Sequence, residues 1–114
     1  MSKARNTVAV QLRESAPVFA ALGDPTRLQV VARLCANGPQ SITRLSADME
    51  VTRQAVTKHL VALAAAGLAQ PRREGREQIW ELETRRLAVA RQTLERISGQ
   101  WDSALARLRA FVEE

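Results

Sequence analysis

Among 114 residues the chain has a single cysteine, Cys35, and a single histidine, His59. One cysteine excludes an intrachain disulfide and gives no sign of an oxidising compartment, so the cytoplasm is the expected address. One histidine leaves no Cys/His set, no Ser/His/Asp set and no metal-ligand spacing, and no Gly-rich loop is present to cradle a phosphate. An enzyme therefore has nothing to stand on, and no cofactor is expected. Long hydrophobic runs are missing too. The start, Met1 to Thr7, carries Lys3 and Arg5, but the apolar stretch after it, Val8 to Leu12, is broken by Gln11 and is too short for a signal or a membrane span. There are no internal repeats and no low-complexity segments.

What is present fits one domain over residues 1–114. An apolar content of 46% can form a real core, although chains of this size bury only about two thirds of their unfolded surface. Lys and Arg number 17 against 12 Asp and Glu, and the resulting net charge of +5 favours a polyanionic partner.

Val8, Leu12, Phe19 and Leu22 recur at helical intervals, so residues from about 8 to 22 read as an amphipathic helix closed by Gly23, with Pro17 expected to kink it or to move its start. Asp24-Pro25 restarts a helix: Asp24 can accept from a free backbone N–H, and Pro25 suits the first helical position. Leu28, Val31 and Leu34 supply its buried stripe, and Asn37-Gly38-Pro39 ends it. Ser41 can cap a short third helix carrying Ile42 and Leu45. A turn around Met49-Glu50-Val51 leads to Thr52, the cap of a fourth helix whose inner face holds Val56, Leu60 and Leu63 and which stops at Gly67. Leu68 to Arg73 and Glu77 to Leu82 read as two strands around Glu74-Gly75-Arg76, and Pro71 requires an edge position or a strand end. From Leu87 the apolar positions Ala90, Leu94, Ile97, Trp101, Ala104, Leu108 and Phe111 are three or four apart. They predict a long helix, or two hinged near Ser98-Gly99.

The fold class that follows is mainly α with a small β-hairpin. The helix-turn-helix falls at about 41–66, a wing at about 68–82 and a C-terminal dimerisation helix at about 85–112. A helix pair whose second member is apolar inside and polar outside fits the geometry that places a recognition helix in the major groove. On its outer face Arg53 and Lys58 can donate to guanine or phosphate, Gln54 can pair with adenine, and Thr57 can serve a base edge or the backbone. Arg72, Arg73 and Arg76 put positive charge where a wing would meet phosphates or the minor groove. His59, at the edge of the packed stripe, reads as partly packed with a phosphate contact in reach. Cys35 reads as an inert, half-buried thiol. The second, third and fourth helices plus the hairpin already make a core, which leaves the faces of the first and last helices unmatched. Val8, Leu12, Phe19, Leu94, Ile97, Trp101, Leu105 and Leu108 are therefore assigned to a dimer seam. The alternative from another class is a winged domain that binds protein and no specific DNA.

Several motifs in one order carry a resemblance. Ala21-Leu22-Gly23-Asp24-Pro25-Thr26-Arg27-Leu28 is followed by Ile42-Thr43-Arg44-Leu45-Ser46, by Val51-Thr52-Arg53-Gln54-Ala55-Val56-Thr57-Lys58-His59-Leu60 and by Ala66-Gly67-Leu68. Together with Arg72-Arg73-Glu74-Gly75-Arg76, Trp80 and Leu82, this resembles the ArsR/SmtB family of bacterial regulators over roughly residues 18–83. The closing Trp101-Asp102-Ser103-Ala104-Leu105 through Phe111 and Glu113 resembles a branch without metal ligands. The resemblance implies a winged helix-turn-helix homodimer that represses promoters, commonly its own, and leaves DNA when an inducer arrives. DNA contacts are also expected from Ser41, Thr52 and His59 beside the residues already named. The thiolate pair of metal-responsive members would fall at Ser41 and Thr43, and the carboxylate and His site of the last helix finds no histidine there. Metal sensing is therefore not expected, and the inducer stays unidentified.

Overall fold

The computed structural model describes residues 3–113. Met1, Ser2 and Glu114, the ends of the expected domain, lie outside them, and the side chains of the basic start, Lys3 and Arg5, are likewise outside the described part. The order of elements is α1 (Lys3–Leu22), α2 (Pro25–Asn37), β1 (Gln40–Ser41), α3 (Ile42–Ser46), α4 (Arg53–Ala65), β2 (Ala69–Glu74), β3 (Glu77–Leu82) and α5 (Thr84–Glu113).

Local chemistry explains most of these boundaries. Asp24 begins α2 by accepting from Thr26 N and Arg27 N, with Pro25 in the first turn. Ser41 caps α3 through Arg44 N, and Thr52 caps α4 through Ala55 N. The end of α4 is a Schellman turn: Leu68 N donates to Leu63 O and Gly67 N donates to Ala64 O, both at 2.9 Å, while Gly67 takes a φ of +75°. Leu63 and Leu68, which bracket that turn, are both fully buried. The recognition helix is thereby tied to the wing.

Several expectations change. Helix α1 starts earlier than residue 8 and continues through Pro17; Pro17 is exposed, so the carbonyl freed by its missing N–H faces water. Leu28 is 49% exposed, and Val30 takes its place beside Leu34 in the buried face of α2. Cys35 is exposed rather than half-buried, because the core side of α2 already belongs to Val30 and Leu34. Finally, α5 is one helix of 30 residues with Gly99 inside it, without a hinge.

Strands β2 and β3 pair antiparallel from Ala69↔Leu82 to Glu74↔Glu77, joined by Gly75-Arg76 with Gly75 at φ +64°. A positive φ at the first position alone suits the type II′ hairpin turn. The two-residue β1 adds to the other side of β3, giving the order β1-β3-β2, so Pro71 sits on an edge strand as its missing N–H demands. The core joins Val30 and Leu34 of α2, Leu45 of α3, Val56, Leu60 and Leu63 of α4, Leu68, and Trp80 of β3.

Helices α1 and α5 are not left without partners inside the chain, as the sequence suggested. They pack on each other through Ser15, Val18 and Ala21 against Ala90 and Thr93, and Ser15 Oγ and Thr93 Oγ1 share a buried hydrogen bond of 2.9 Å. Phe19 packs against this core and Val8 is half-buried. The stripe beyond Thr93 stays uncovered, with Leu94 51%, Ile97 47%, Trp101 65%, Leu105 42% and Leu108 59% exposed. Leu12 is 49% exposed beside them in kind.

Gly67→Ala is expected to destabilise the fold by about 1–2 kcal/mol, the cost of a left-handed conformation for an L residue. Its new Cβ would also displace the Arg86 side chain. Chemical denaturation should show a lower midpoint at an unchanged slope.

Candidate nucleic-acid interface

One face of α4 is spent on the core, and this sets the site. With Val56, Leu60 and Leu63 fully buried, 3.6 residues per turn carry Gln54 and Lys58 to the opposite side and Thr57 to its border, while Arg53, in line with Leu60, is exposed in the first turn. Arg53, Gln54 and Lys58 are exposed and their side chains have no hydrogen bond or ion pair within the chain, so their donors are available to a ligand. Thr57 differs: its hydroxyl donates to Arg53 O at 2.8 Å, which leaves it as an acceptor. Thr52 and Ser41 are engaged as caps, each with its hydroxyl oxygen accepting a backbone N–H. A cap of this kind keeps the hydroxyl proton free to donate. Val61 extends the outer face of α4 by one turn and is 56% exposed; sequence reading passed over it because it lies off the apolar stripe.

The wing is less basic than its three arginines suggest. Arg72, Arg73 and Arg76 are matched one for one by Glu74, Glu77 and Glu81 within the hairpin, so its formal charge cancels. Arg72 is held by Glu81 at 3.3 Å and by Glu74 at 3.5 Å, while Gln70 also donates to Glu81. Successive side chains alternate faces along a strand, and Arg73 and Arg76 are exposed with no side-chain partner. They, rather than Arg72, are the wing's free cations. Between β1, α3 and the hairpin lies an open cleft of about 590 Å³, lined by Ser41, Thr43 and Arg44 on one side and Arg72, Glu74, Glu77 and Ile79 on the other. Arg44 was missed in the sequence because a five-residue helix shows no periodicity to place it.

His59 is half-buried, and its Nδ1 accepts from Arg27 Nε at 3.4 Å. The same guanidinium donates through Nη1 to Ala21 O at 3.2 Å, so Arg27 joins the end of α1 and the start of α2 to α4. Beside it, the backbone N–H of Arg27 holds the Asp24 carboxyl below the usual carboxylate range, helped by the N–H of Thr26 and the nearby Arg27 charge and opposed by partial desolvation. Among the described residues no group of three or more His, Cys, Asp and Glu side chains could hold a metal ion. No helix among them is long and apolar enough to cross a membrane.

Helix, turn, recognition helix and β-hairpin, flanked by long terminal helices, make this a winged helix-turn-helix protein. A family model described as a helix-turn-helix domain matches residues 22–71. The HTH-type transcriptional regulator Rv2034 of Mycobacterium tuberculosis is 39% identical over 93 residues, covering 82% of this chain and 83% of that protein. Among solved structures, an ArsR-like transcriptional regulator from Rhodococcus sp. RHA1 superposes with a TM-score of 0.74 at 39% identity, over 88% of this chain and 93% of that one. A second ArsR family transcriptional regulator matches with a TM-score of 0.66 at 26% identity, over 83% and 94%. The chain belongs to the ArsR family of helix-turn-helix transcriptional regulators, whose helix-turn-helix is a DNA-binding domain. These relatives are transcriptional regulators rather than enzymes.

The Asp24 cap carries a pH signature. A carboxyl whose folded pKa is lowered contributes stability above its unfolded pKa and loses it as the pH falls through the folded value. Asp24→Ala should lower Tm at neutral pH and weaken the loss of Tm below pH ~4, the ordinary carboxylate range. Asp24→Asn, which keeps an acceptor but cannot titrate, should recover much of Tm with the same flattened acid limb. Thermal denaturation over a pH series reads both.

Proposed function

We propose that the protein is a cytoplasmic repressor that binds a palindromic operator as a homodimer. The observation that supports this best is the free surface of α4, where Arg53 in the first turn and Gln54 and Lys58 on the outer face stand exposed and unpartnered beside a fully buried inner face. Arg53 and Gln54 have the donor and acceptor sets that read guanine and adenine, and Lys58 suits a phosphate. Thr52 and Thr57 add hydroxyls at the start of α4 and on its second turn, Ser41 adds one in the cleft beside the wing, and His59 stands at the flank of α4. Arg73 and Arg76 then approach the backbone from the wing, with Arg72 bracing the hairpin.

The test is binding to duplex DNA taken from upstream of the protein's own gene. Log affinity should fall with log salt by roughly 0.9 per phosphate contacted, whereas a protein-binding module would show no specific shift. Arg76→Ala should weaken cognate and random DNA alike and lower that slope by about one unit, and Arg72→Ala should lower it by less, since its guanidinium is already shared by two carboxylates. Equal effects of the two substitutions would show that the ion pairs open on DNA.

Dimerisation follows from the stripe Leu94, Ile97, Trp101, Leu105 and Leu108, to which Leu12, Val8 and Phe19 of α1 would contribute from the side. Two recognition helices must sit about one DNA turn, roughly 34 Å, apart, and a two-fold dimer supplies that spacing. Truncating a buried aromatic typically costs about 3–5 kcal/mol, so Trp101→Ala should shift the protein toward monomer and abolish operator binding with α4 intact. Light scattering at micromolar concentration decides: a monomeric wild type would remove the seam and the palindrome together.

A further inference from the structure

Arg27 closes the Asp24-Pro25-Thr26-Arg27 run, and reading DNA with α4 and the wing gives it no part. Its position is nevertheless specific. It lies in the first turn of α2, half-buried, and its guanidinium reaches Ala21 O at the end of α1 and His59 Nδ1 on α4. A guanidinium has only donors, so the nitrogen it meets must offer a lone pair. When one nitrogen of an uncharged imidazole accepts, the ring proton resides on the other. Nε2 of His59 has no protein partner, and it is not among the buried unpartnered side-chain atoms of the described residues, Gln11 Oε1 and Trp80 Nε1. It is therefore not sealed from solvent. His59 follows Lys58, one step around the helix from the polar face, at the border between that face and the packed one.

We propose that Arg27 is a positioning residue of the DNA interface: it fixes His59 as the Nε2–H tautomer and so holds one directed N–H donor at the flank of α4 for a phosphate oxygen of duplex DNA. This rests on the DNA-binding reading above. Arg27 itself stays behind the ring, with Nε and Nη1 committed to His59 and Ala21. The arrangement gives the helix a donor whose orientation does not depend on a flexible side chain, unlike the ammonium of Lys58. It also couples the register of α4 to the ends of α1 and α2, since all three meet at one guanidinium.

The single histidine makes the test direct. In uniformly 15N-labelled wild-type protein in mildly alkaline buffer, the only imidazole should show an unprotonated Nδ1 and a protonated Nε2. Adding a short duplex from upstream of the protein's own gene should move the Nε2 resonance most. His59→Ala should weaken binding to that duplex by roughly tenfold, the size of one charge-assisted hydrogen bond. Arg27→Ala should cost a similar factor and give a mixture of tautomers, and the double substitution should cost no more than either single one. The opposite tautomer in the free wild type overturns the proposal, as does an Arg27→Ala loss that persists undiminished when His59 is already alanine. If Arg27→Ala fails to fold, the wild-type spectra with and without DNA still decide, because a still Nε2 resonance in a bound complex is itself a refutation. A wild type that binds no duplex at low salt would instead sink the DNA-binding reading, while the tautomer of the free protein continues to judge the Arg27 contact.

Discussion

The burial of one face of α4 is the constraint on which the rest depends. Val56, Leu60 and Leu63 are fully shielded by Val30 and Leu34 of α2, Leu45 of α3, Leu68 and Trp80. Removing one such leucine typically costs about 2–5 kcal/mol, against a total stability of about 5–15 kcal/mol for a domain. The helix therefore cannot roll, and its polar side must face outward. A functional surface built this way needs no loop to be ordered on binding. The Schellman turn at Gly67 extends the same rigidity to the hairpin, since the residue that closes the helix, Leu68, is also the one that leads into β2.

Electrostatics divides the labour between helix and wing. The net charge of +5 draws the protein toward a polyanion, but the hairpin, whose arginines and glutamates cancel, adds little to that long-range pull. Exposed ion pairs such as Arg72 with Glu74 and Glu81 are worth about 0–1 kcal/mol each. That is enough to bias one guanidinium toward the sheet surface and too little to lock it there. Directly opposed Glu74 and Glu77 would repel across the strand pair, and Arg72 bound to Glu74 offsets part of that repulsion. The wing thus reads as a shaped, nearly neutral prop carrying two free cations at its end, with α4 holding the unpartnered polar groups.

How much of this was legible depended on how local the cause was. Caps at Asp24, Ser41 and Thr52, the turn at Gly75 and the edge placement of Pro71 each follow from one side chain acting on its own backbone, so the sequence shows them. The two residues of β1 have no pattern of their own; only the free edge of β3 makes Gln40 and Ser41 a strand. Leu28 and Val30 lie on nearly opposite faces of α2, either of which can be continued by an apolar residue, and only the position of α4 chooses the face of Val30 and Leu34. The charge cancellation in the wing was written in the sequence, yet reading the arginines as free needed their neighbours' geometry to correct it. The Arg27 to His59 contact joins residues 32 apart, and no spacing rule reaches across two helices and a turn.

The terminal helices pose the remaining physical question, which is why so long a helix should exist. After Thr93, α5 runs for 20 residues in which only Ala104 is even half-buried. At 1.5 Å per residue that is about 30 Å of helix, and the molecule extends 66 Å along its longest axis as a result. Most of a helix's stability in a protein comes from tertiary packing of its apolar face, which this stretch lacks within its own chain. This one also lays Leu94, Ile97, Trp101, Leu105 and Leu108 along one side at intervals of three and four, which adds an unfavourable apolar surface to a structure already short of stabilising contacts. The buried Ser15 to Thr93 bond and the small Ala21 and Ala90 let α1 and α5 approach closely near the domain. That contact anchors the base of α5 and leaves its distal half without support from its own chain. A second α5 laid along that stripe would solve both problems together, covering the apolar side and fixing the distance between two copies of α4. The helix is long because, on this reading, it is half of a structure whose other half is another molecule of the same protein.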